Sequence, residues 1–283
     1  MFFNVFRNDH TQRTRYANFG NVLIPVMQVC KLCIFVAMDI SLNKFISDTG
    51  FCSRREADLY IQQGRVTING REASKGNRVQ AGDEVHVDGE KLKSKKATVY
   101  IALNKPKGIT CTTDQHDKTN VIDFVGYKSR IFPIGRLDKL SEGLLFLTND
   151  GDIVNKILRA GNKHEKEYVV VVDKPFSATF VQQMSSGVRI PGAKTLPCFV
   201  KQEGSDRFRI ILTQGLNRQI RRMCETLGYT VKSLKRIRIM NITIAGIPPG
   251  KWRYFTPDEI REINSMLATS TKTEHTESNG MDE

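Results

Sequence analysis

Residues 207–246, RFRIILTQGLNRQIRRMCETLGYTVKSLKRIRIMNITIAG, read as a strand, a loop, a helix stopped by Gly228, and two further strands. A helix set between strands in this way restricts the fold more than any other part of the chain. It rules out a plain helical bundle. No Gly-rich phosphate loop and no repeated strand–helix unit appears elsewhere, so a doubly wound parallel sheet is excluded as well. The expectation is an α+β protein whose larger domain holds a mixed, largely antiparallel sheet.

The remaining segments extend this reading. VYIALNKPKGIT and the apolar run Leu144, Leu145, Phe146, Leu147 supply strands, as does KEYVVVVDKP. GDIVNKILRA and residues 178–186 are helical, and TPDEIREINSML opens on Thr256, Pro257 and Glu259, the signature of a capped last helix. Ahead of this domain lies a smaller one. Its first helix is expected around Leu42–Ser47. In the next, Ser53 and Glu56 form an S-x-x-E capping box, Ala57, Tyr60 and Ile61 share one helical face, and Gly64 supplies the stop. RVTINGREA then places Val66 and Ile68 on one side of a strand before an Asn69-Gly70 hairpin turn, a pattern that DEVHVDG repeats.

These signals divide the chain into a leader (1–37), a small helical/β RNA-binding domain (41–89), a lysine-rich linker (90–97), a catalytic domain (98–267) and a disordered tail (268–283). Leader residues 21–37, NVLIPVMQVCKLCIFVA, carry Lys31 in their middle and fall short of the about 20 apolar residues that span a bilayer. No membrane role is expected. Domain-like patterning begins near Met38, and translation is expected to start there.

Charge points to the partner. Lys and Arg outnumber Asp and Glu by 43 to 30, and between Arg207 and Arg238 nine cations stand against Glu225 alone. A run this one-sided repels itself unless an anion lies across it, so a nucleic-acid backbone is favoured over a merely solvated face. Arg54 and Arg55 add a second basic feature: they occupy a helical first turn, where positive charge opposes the helix dipole and a phosphate would compensate. The six cysteines lack a framework spacing and fit free thiols in a reducing cytoplasm. The single C-x-x-C at Cys30 and Cys33 has no second ligand pair, so no metal is expected.

The candidate reactive group lies in FPIGRLDKLSEGLLFLTNDG, residues 132–151. Asp138 sits between Arg136 and Lys139 at the mouth of an apolar strand, and cations on both sides favour its ionised form. A surface ion pair is the competing explanation. A magnesium nuclease using Asp138, Asp150 and Asp152 fits poorly, since the last two flank a Gly turn and no further ligands converge.

The motifs ALNKPKGI, FPIGRLDKLSEGLLFLTNDG, HEKEYVV and QGLNRQIRRMCETLGYTVKSLKRIRI resemble those of bacterial rRNA pseudouridine synthases. The group concerned comprises the A-type enzymes acting on small-subunit rRNA together with the B-, E- and F-type enzymes acting on large-subunit rRNA, and the resemblance is nearest to the F type. LNKFISDTGFCSRREADLYIQQGRVTINGREA is similar to the RNA-binding domain first described in the fourth ribosomal protein of the small subunit. The resemblance implies that Asp138 is the catalytic aspartate, acting as nucleophile at the ribose or as base, roles an ionised carboxylate suits. It further implies that Tyr168 stacks on the uracil and that Arg221 pairs with Asp138. Arg136 is implied to position the flipped nucleotide and Leu234 to pack under the base, while Lys44, Arg54, Arg55, Arg218 and Arg222 are expected to bind RNA. The expected substrate is 23S rRNA, with a tRNA anticodon loop as an additional one. The enzyme is expected to be a cytoplasmic monomer that needs no cofactor. A non-catalytic RNA-binding assembly protein is the alternative.

Overall fold

The computed structural model describes residues 16–19, 22–25, 39–93 and 97–268. Within the expected leader this is one antiparallel hairpin, β1 (Tyr16–Phe19) with β2 (Val22–Pro25). The rest of the leader, with Cys30 and Cys33, and the tail beyond Ala268 lie outside the described residues. The chain divides into two units, Met1–Lys96 and Ala97–Glu283.

In the first unit a short strand, β3 (Ile40–Ser41), leads into α1 (Leu42–Asp48) and then α2 (Arg54–Gln62). The Ser53–Glu56 capping box is formed in both directions, which satisfies backbone donors that the helix start would leave orphaned. Strands β4 (Val66–Ile68), β5 (Arg71–Glu72), β6 (Arg78–Val79), β7 (Val85–Val87) and β8 (Glu90–Lys91) follow. The β4–β5 turn needs two consecutive residues at positive φ, and Asn69 (52°) and Gly70 (77°) provide them. The pairing His86↔Lys91 and Val87↔Glu90 carries this sheet past the expected linker boundary at residue 90, because the turn at Asp88-Gly89 folds the chain back onto β7. Leu42, Ile46, Ala57, Ile61, Val66, Val79, Val85 and Val87 close a separate core.

The second unit is built on one mixed sheet. Its elements run β9 (Tyr100–Lys105), α3 (Val121–Val125), β10 (Phe132–Ile134), β11 (Glu142–Thr148), α4 (Gly151–Leu158), β12 (Lys166–Val172) and α5 (Ala178–Ser186). After these come β13 (Arg189–Ile190), β14 (Ala193–Lys194), β15 (Phe199–Gln202), β16 (Arg207–Leu212), α6 (Gln219–Thr226), β17 (Val231–Ile239), β18 (Ile242–Thr243), β19 (Trp252–Tyr254) and α7 (Pro257–Leu267). The spatial order is β15-β16-β12-β17-β11-β9-β19, with β10 on β11 and β18 on β17. Every pairing is antiparallel except β11 with β17.

Alternation along the strands splits the core in two. Leu145, Leu147, Tyr168, Val170, Phe208, Ile210 and Leu234 face one side, where α3, α5 and α6 cover them. Ala102, Leu144 and Phe146 face the other, under α4 and α7. The parallel contact is brief, Glu142↔Lys235 and Gly143↔Arg236. It is also very close. A Cβ on Gly143 would sit 2.2 Å from the Arg236 carbonyl oxygen, and the glycine's φ of +109° is closed to other residues.

Candidate active site

β17 begins before β11 does, so Val231–Leu234 have no β11 partner beside them. The turn preceding β11 and the N-terminal end of α6 border that gap, and between them lies a cleft. Asp138, Arg136, Tyr168, Leu234, Arg218 and Arg221 all contribute to its walls. Residues separated by nearly a hundred positions in the sequence thus meet around one carboxylate.

Asp138 begins a tight turn closed by Ser141 N–H donating to its carbonyl (3.0 Å). The next carbonyl, that of Lys139, accepts from Gly108 N–H at 2.8 Å, so the turn is pinned from β9's end of the sheet. Lys105 reinforces it: its fully buried ammonium donates to the carbonyls of Pro106 and Ile109 and lies 3.5 Å from that of Lys139. Burial pushes the Lys105 amine below its ordinary range. Leu137 N–H donates to Cys111 Sγ just before the carboxylate. The result is a rigid mount for one acidic side chain.

Two guanidinium groups converge on Asp138 Oδ2, that of Arg221 through Nε at 3.5 Å and that of Arg218 through Nη1 at 3.8 Å. They differ in setting. Arg221 is largely buried and bridges the start of β17 to the turn, donating to Val231 O (3.2 Å) and Ser141 Oγ (3.1 Å). Arg218 is half-exposed and sits at the cap of α6 in the left-handed backbone region (φ 49°, ψ 32°). A non-glycine residue held there stores backbone strain of about 1 kcal/mol or more, a pattern concentrated at functional sites. Gln219 closes the loop before it by accepting from Leu216 N–H (3.0 Å).

Tyr168 faces Arg236 across β12–β17, with the guanidinium 6.0 Å from its ring centre. The ring is mostly buried, so it belongs to the core and to the cleft wall together. Arg236 is buried too, donates through Nε to Leu144 O (2.7 Å), and leaves its Nη2 without a partner. Lys166, two residues before Tyr168, is a third buried cation, donating to His164 O (3.0 Å). Desolvation, followed by the nearby Arg236 charge, brings its amine down to about 8.

Arg222 does not join this group. One helical step takes it about 100° round from Arg221, and its guanidinium donates instead to the carbonyls of Pro191 and Asn217. Lys44, Arg54 and Arg55 belong to the other unit. Lys44 pairs with Asp48 at 2.6 Å, and Arg54 and Arg55 are exposed on the first turn of α2. Asp150 caps α4 by accepting from Asp152 N–H and also takes a hydrogen bond from Tyr100.

Ser141, Gln219, Lys105 and Arg236 were not singled out from the sequence. The first two look like turn and helix residues, and the two buried cations look like ordinary surface charge. Only three-dimensional contact reveals what they hold.

Residues 99–226 fit the family model described as RNA pseudouridylate synthase, and residues 41–85 fit the S4 domain. The chain is 55% identical to the dual-specificity RNA pseudouridine synthase RluF of Escherichia coli (strain K12), over 82% of this chain and 81% of that one. It is 33% identical to the ribosomal large subunit pseudouridine synthase B of Bacillus subtilis (strain 168), over 80% and 96% respectively. A crystal structure of a pseudouridylate synthase superposes with a TM-score of 0.60 at 27% identity, covering 79% of this chain and 99% of the other. An S4 domain followed by a synthase domain, with identity of this extent, makes the chain a member of the RNA pseudouridine synthase family.

Proposed function

We propose that this protein converts specific uridines of structured RNA to pseudouridine, with 23S rRNA as the main substrate and a tRNA anticodon loop as a second. The observation that carries the reading is the single carboxylate of Asp138, mounted on a pinned turn and faced by Arg221 and Arg218 in a cleft walled by Tyr168 and Leu234. The relative named a dual-specificity enzyme supports the choice of two RNA classes.

Isomerisation breaks the N-glycosidic bond, turns the uracil, and rejoins it to the ribose through carbon 5. No atom is gained or lost. Asp138 is the group that attacks the ribose or removes a proton during this exchange, and Arg221 keeps it aimed. A hydrolase that only cleaved the bond would normally present two carboxylates across it. The target uridine must leave its stack to reach the cleft, and the Tyr168 ring and Leu234 offer it an aromatic and apolar surface. The acidic group and its cations are all side chains of this chain, so the reaction as written calls for no cofactor. The enzyme works as a monomer in the cytoplasm, where its S4 domain, through Arg54 and Arg55, adds phosphate contacts.

The test is Asp138→Ala and Asp138→Asn, assayed by mapping pseudouridine across total RNA from cells carrying each form, beside RNA binding by the purified variants. Loss of defined pseudouridines with binding retained is expected. Unchanged modification would remove Asp138 from the chemistry, and no pseudouridine from the wild-type protein would leave a binding protein.

A further inference from the structure

The β19 edge of the sheet carries an aromatic surface that takes no part in the cleft. Trp252 and Tyr254 lie opposite Leu103 and Ile101, so they stand on the face of the sheet that also bears Tyr168. Tyr127, which follows α3, meets both edge-on, 6.1 Å from Trp252 and 6.4 Å from Tyr254 between ring centres. Trp252 and Tyr254 close the triangle at 5.4 Å. The two tyrosine hydroxyls are 3.4 Å apart. Phe124 of α3 lies beside Gly250, just ahead of β19, and extends the patch. Tyr127 and Trp252 rest against the core, whereas Tyr254 is 53% and Phe124 39% exposed. The rings are therefore anchored at the base and open at the top.

Charge decides what kind of partner this surface fits. Lys128 follows Tyr127 and Lys251 precedes Trp252; both are exposed, and neither pairs with a carboxylate among the described residues. Arg253 points to the opposite face and is held there by Glu259 at 2.7 Å. Lysine is depleted at the centre of protein interfaces. Aromatic faces interleaved with free cations are the device by which unpaired nucleic acid is held, bases on rings and phosphates on ammonium groups. Across the strands the edge lies two spacings from β11, about 10 Å, and along them Trp252 and Tyr254 are level with Leu145 and Leu147, beyond the turn that ends at Ser141, so an RNA seated at Asp138 reaches the patch through a few nucleotides of flank.

We propose that Phe124, Tyr127, Trp252 and Tyr254 form a second RNA-binding site that stacks unpaired nucleotides of the strand flanking the target uridine, with Lys128 and Lys251 on their phosphates. This rests on the uridine-isomerising reading for its substrate but not for its readout.

The experiment uses two RNAs, a minimal stem-loop holding the target and the same stem-loop extended by a single-stranded flank with 2-aminopurine in it. Wild-type protein should change the 2-aminopurine fluorescence on binding and show a lower KM for the extended RNA. Tyr254→Ala combined with Phe124→Ala should abolish the fluorescence change. It should also raise KM on the extended RNA by about five- to a hundredfold, the scale of losing one stacked base. On the minimal RNA, kcat and KM should not move. Tyr254→Phe should rescue, and a thermal melt within a degree or two of wild type excludes unfolding. Equal KM for both RNAs in the wild type, equal losses on both RNAs in the variant, or a wild-type dimer that Tyr254→Ala dissociates would each overturn the proposal. If the wild type formed no pseudouridine at all, the isomerase reading would fail, yet the fluorescence change would still decide the stacking site.

Discussion

Arg221→Ala probes how the carboxylate is held. With Nε 3.5 Å from Asp138 Oδ2, the Coulomb attraction is about 5 kcal/mol at an effective dielectric constant of about 20. Asp138 is one-third exposed while Arg221 is only 11% exposed, so solvent screening reduces the useful part to about 2–3 kcal/mol. If that interaction aims the carboxylate in the transition state, turnover should fall by about 30- to 150-fold. The lost bonds to Ser141 Oγ and Val231 O fall on stability instead, at about 1–3 kcal/mol each. Arg221→Lys keeps charge but loses the fork, and should sit between. Ser141→Ala leaves the guanidinium with one anchor fewer and should cost less than either. The assay is single-turnover pseudouridine formation at saturating enzyme, with RNA affinity by filter binding and a melt for each variant. A loss that appears in affinity, with the single-turnover rate preserved, would make Arg221 a phosphate contact and refute this reasoning.

Three further outcomes are expected. Tyr168→Phe should keep most turnover, whereas Tyr168→Leu removes the aromatic plane and should slow single-turnover chemistry by about tenfold or more; Leu matching wild type would leave Tyr168 as a core residue only. Above about pH 8 folded Lys166 has released its proton while the unfolded chain, near 10.5, still holds one, so stability should rise with pH across that window. Lys166→Met should abolish the rise and add up to about 3 kcal/mol at pH 7, and urea denaturation at pH 7, 9 and 10 checks this; a wild type flat from 8 to 10 contradicts it. Gly143→Ala drives a methyl group into the Arg236 backbone and should cost about 3 kcal/mol or more, visible as a large drop in Tm. A neutral Gly143→Ala would mean that β11 and β17 separate at little cost.

Local chemistry was what the sequence displayed best. The capping boxes at Ser53–Glu56 and Thr256–Glu259, the stop at Gly228 and the helix over 178–186 depend on neighbours a few residues apart, and each formed where the pattern put it. Strands β10, β13, β14, β15 and β19 were not legible, because two to four residues carry no period and gain their pairing from a distant partner. Helix α3 escaped for a similar reason: five residues between Asn120 and Gly126 are too few to show a helical repeat. At the site, motifs pointed to Asp138, Tyr168 and Arg221, and Arg218 and Arg222 were both expected on the RNA. Arg222 nevertheless turns away, because it lies one helical step of about 100° from Arg221, whereas Arg218 stands at the cap, outside the helical repeat.

The position of β17 bears on how the molecule comes into being. This strand ends at Ile239, late in the chain, yet it stands at the middle of the sheet between β12 and β11. Without it, β15-β16-β12 and β11-β9 are two unconnected ribbons; β11-β9 is complete by Thr148 and β15-β16-β12 by Leu212, both before β17 begins at Val231. The cleft spans that seam. Asp138 leaves the ribosome long before the strand that carries Leu234, so a nascent chain possesses the acid without the enclosure that gives it a target. Pairings of such sequence separation close slowly, and insertion of the late strand is then the event that turns two half-sheets into an enzyme. A pulse of hydrogen exchange during refolding should find β17 protected last, in the same kinetic phase in which activity appears.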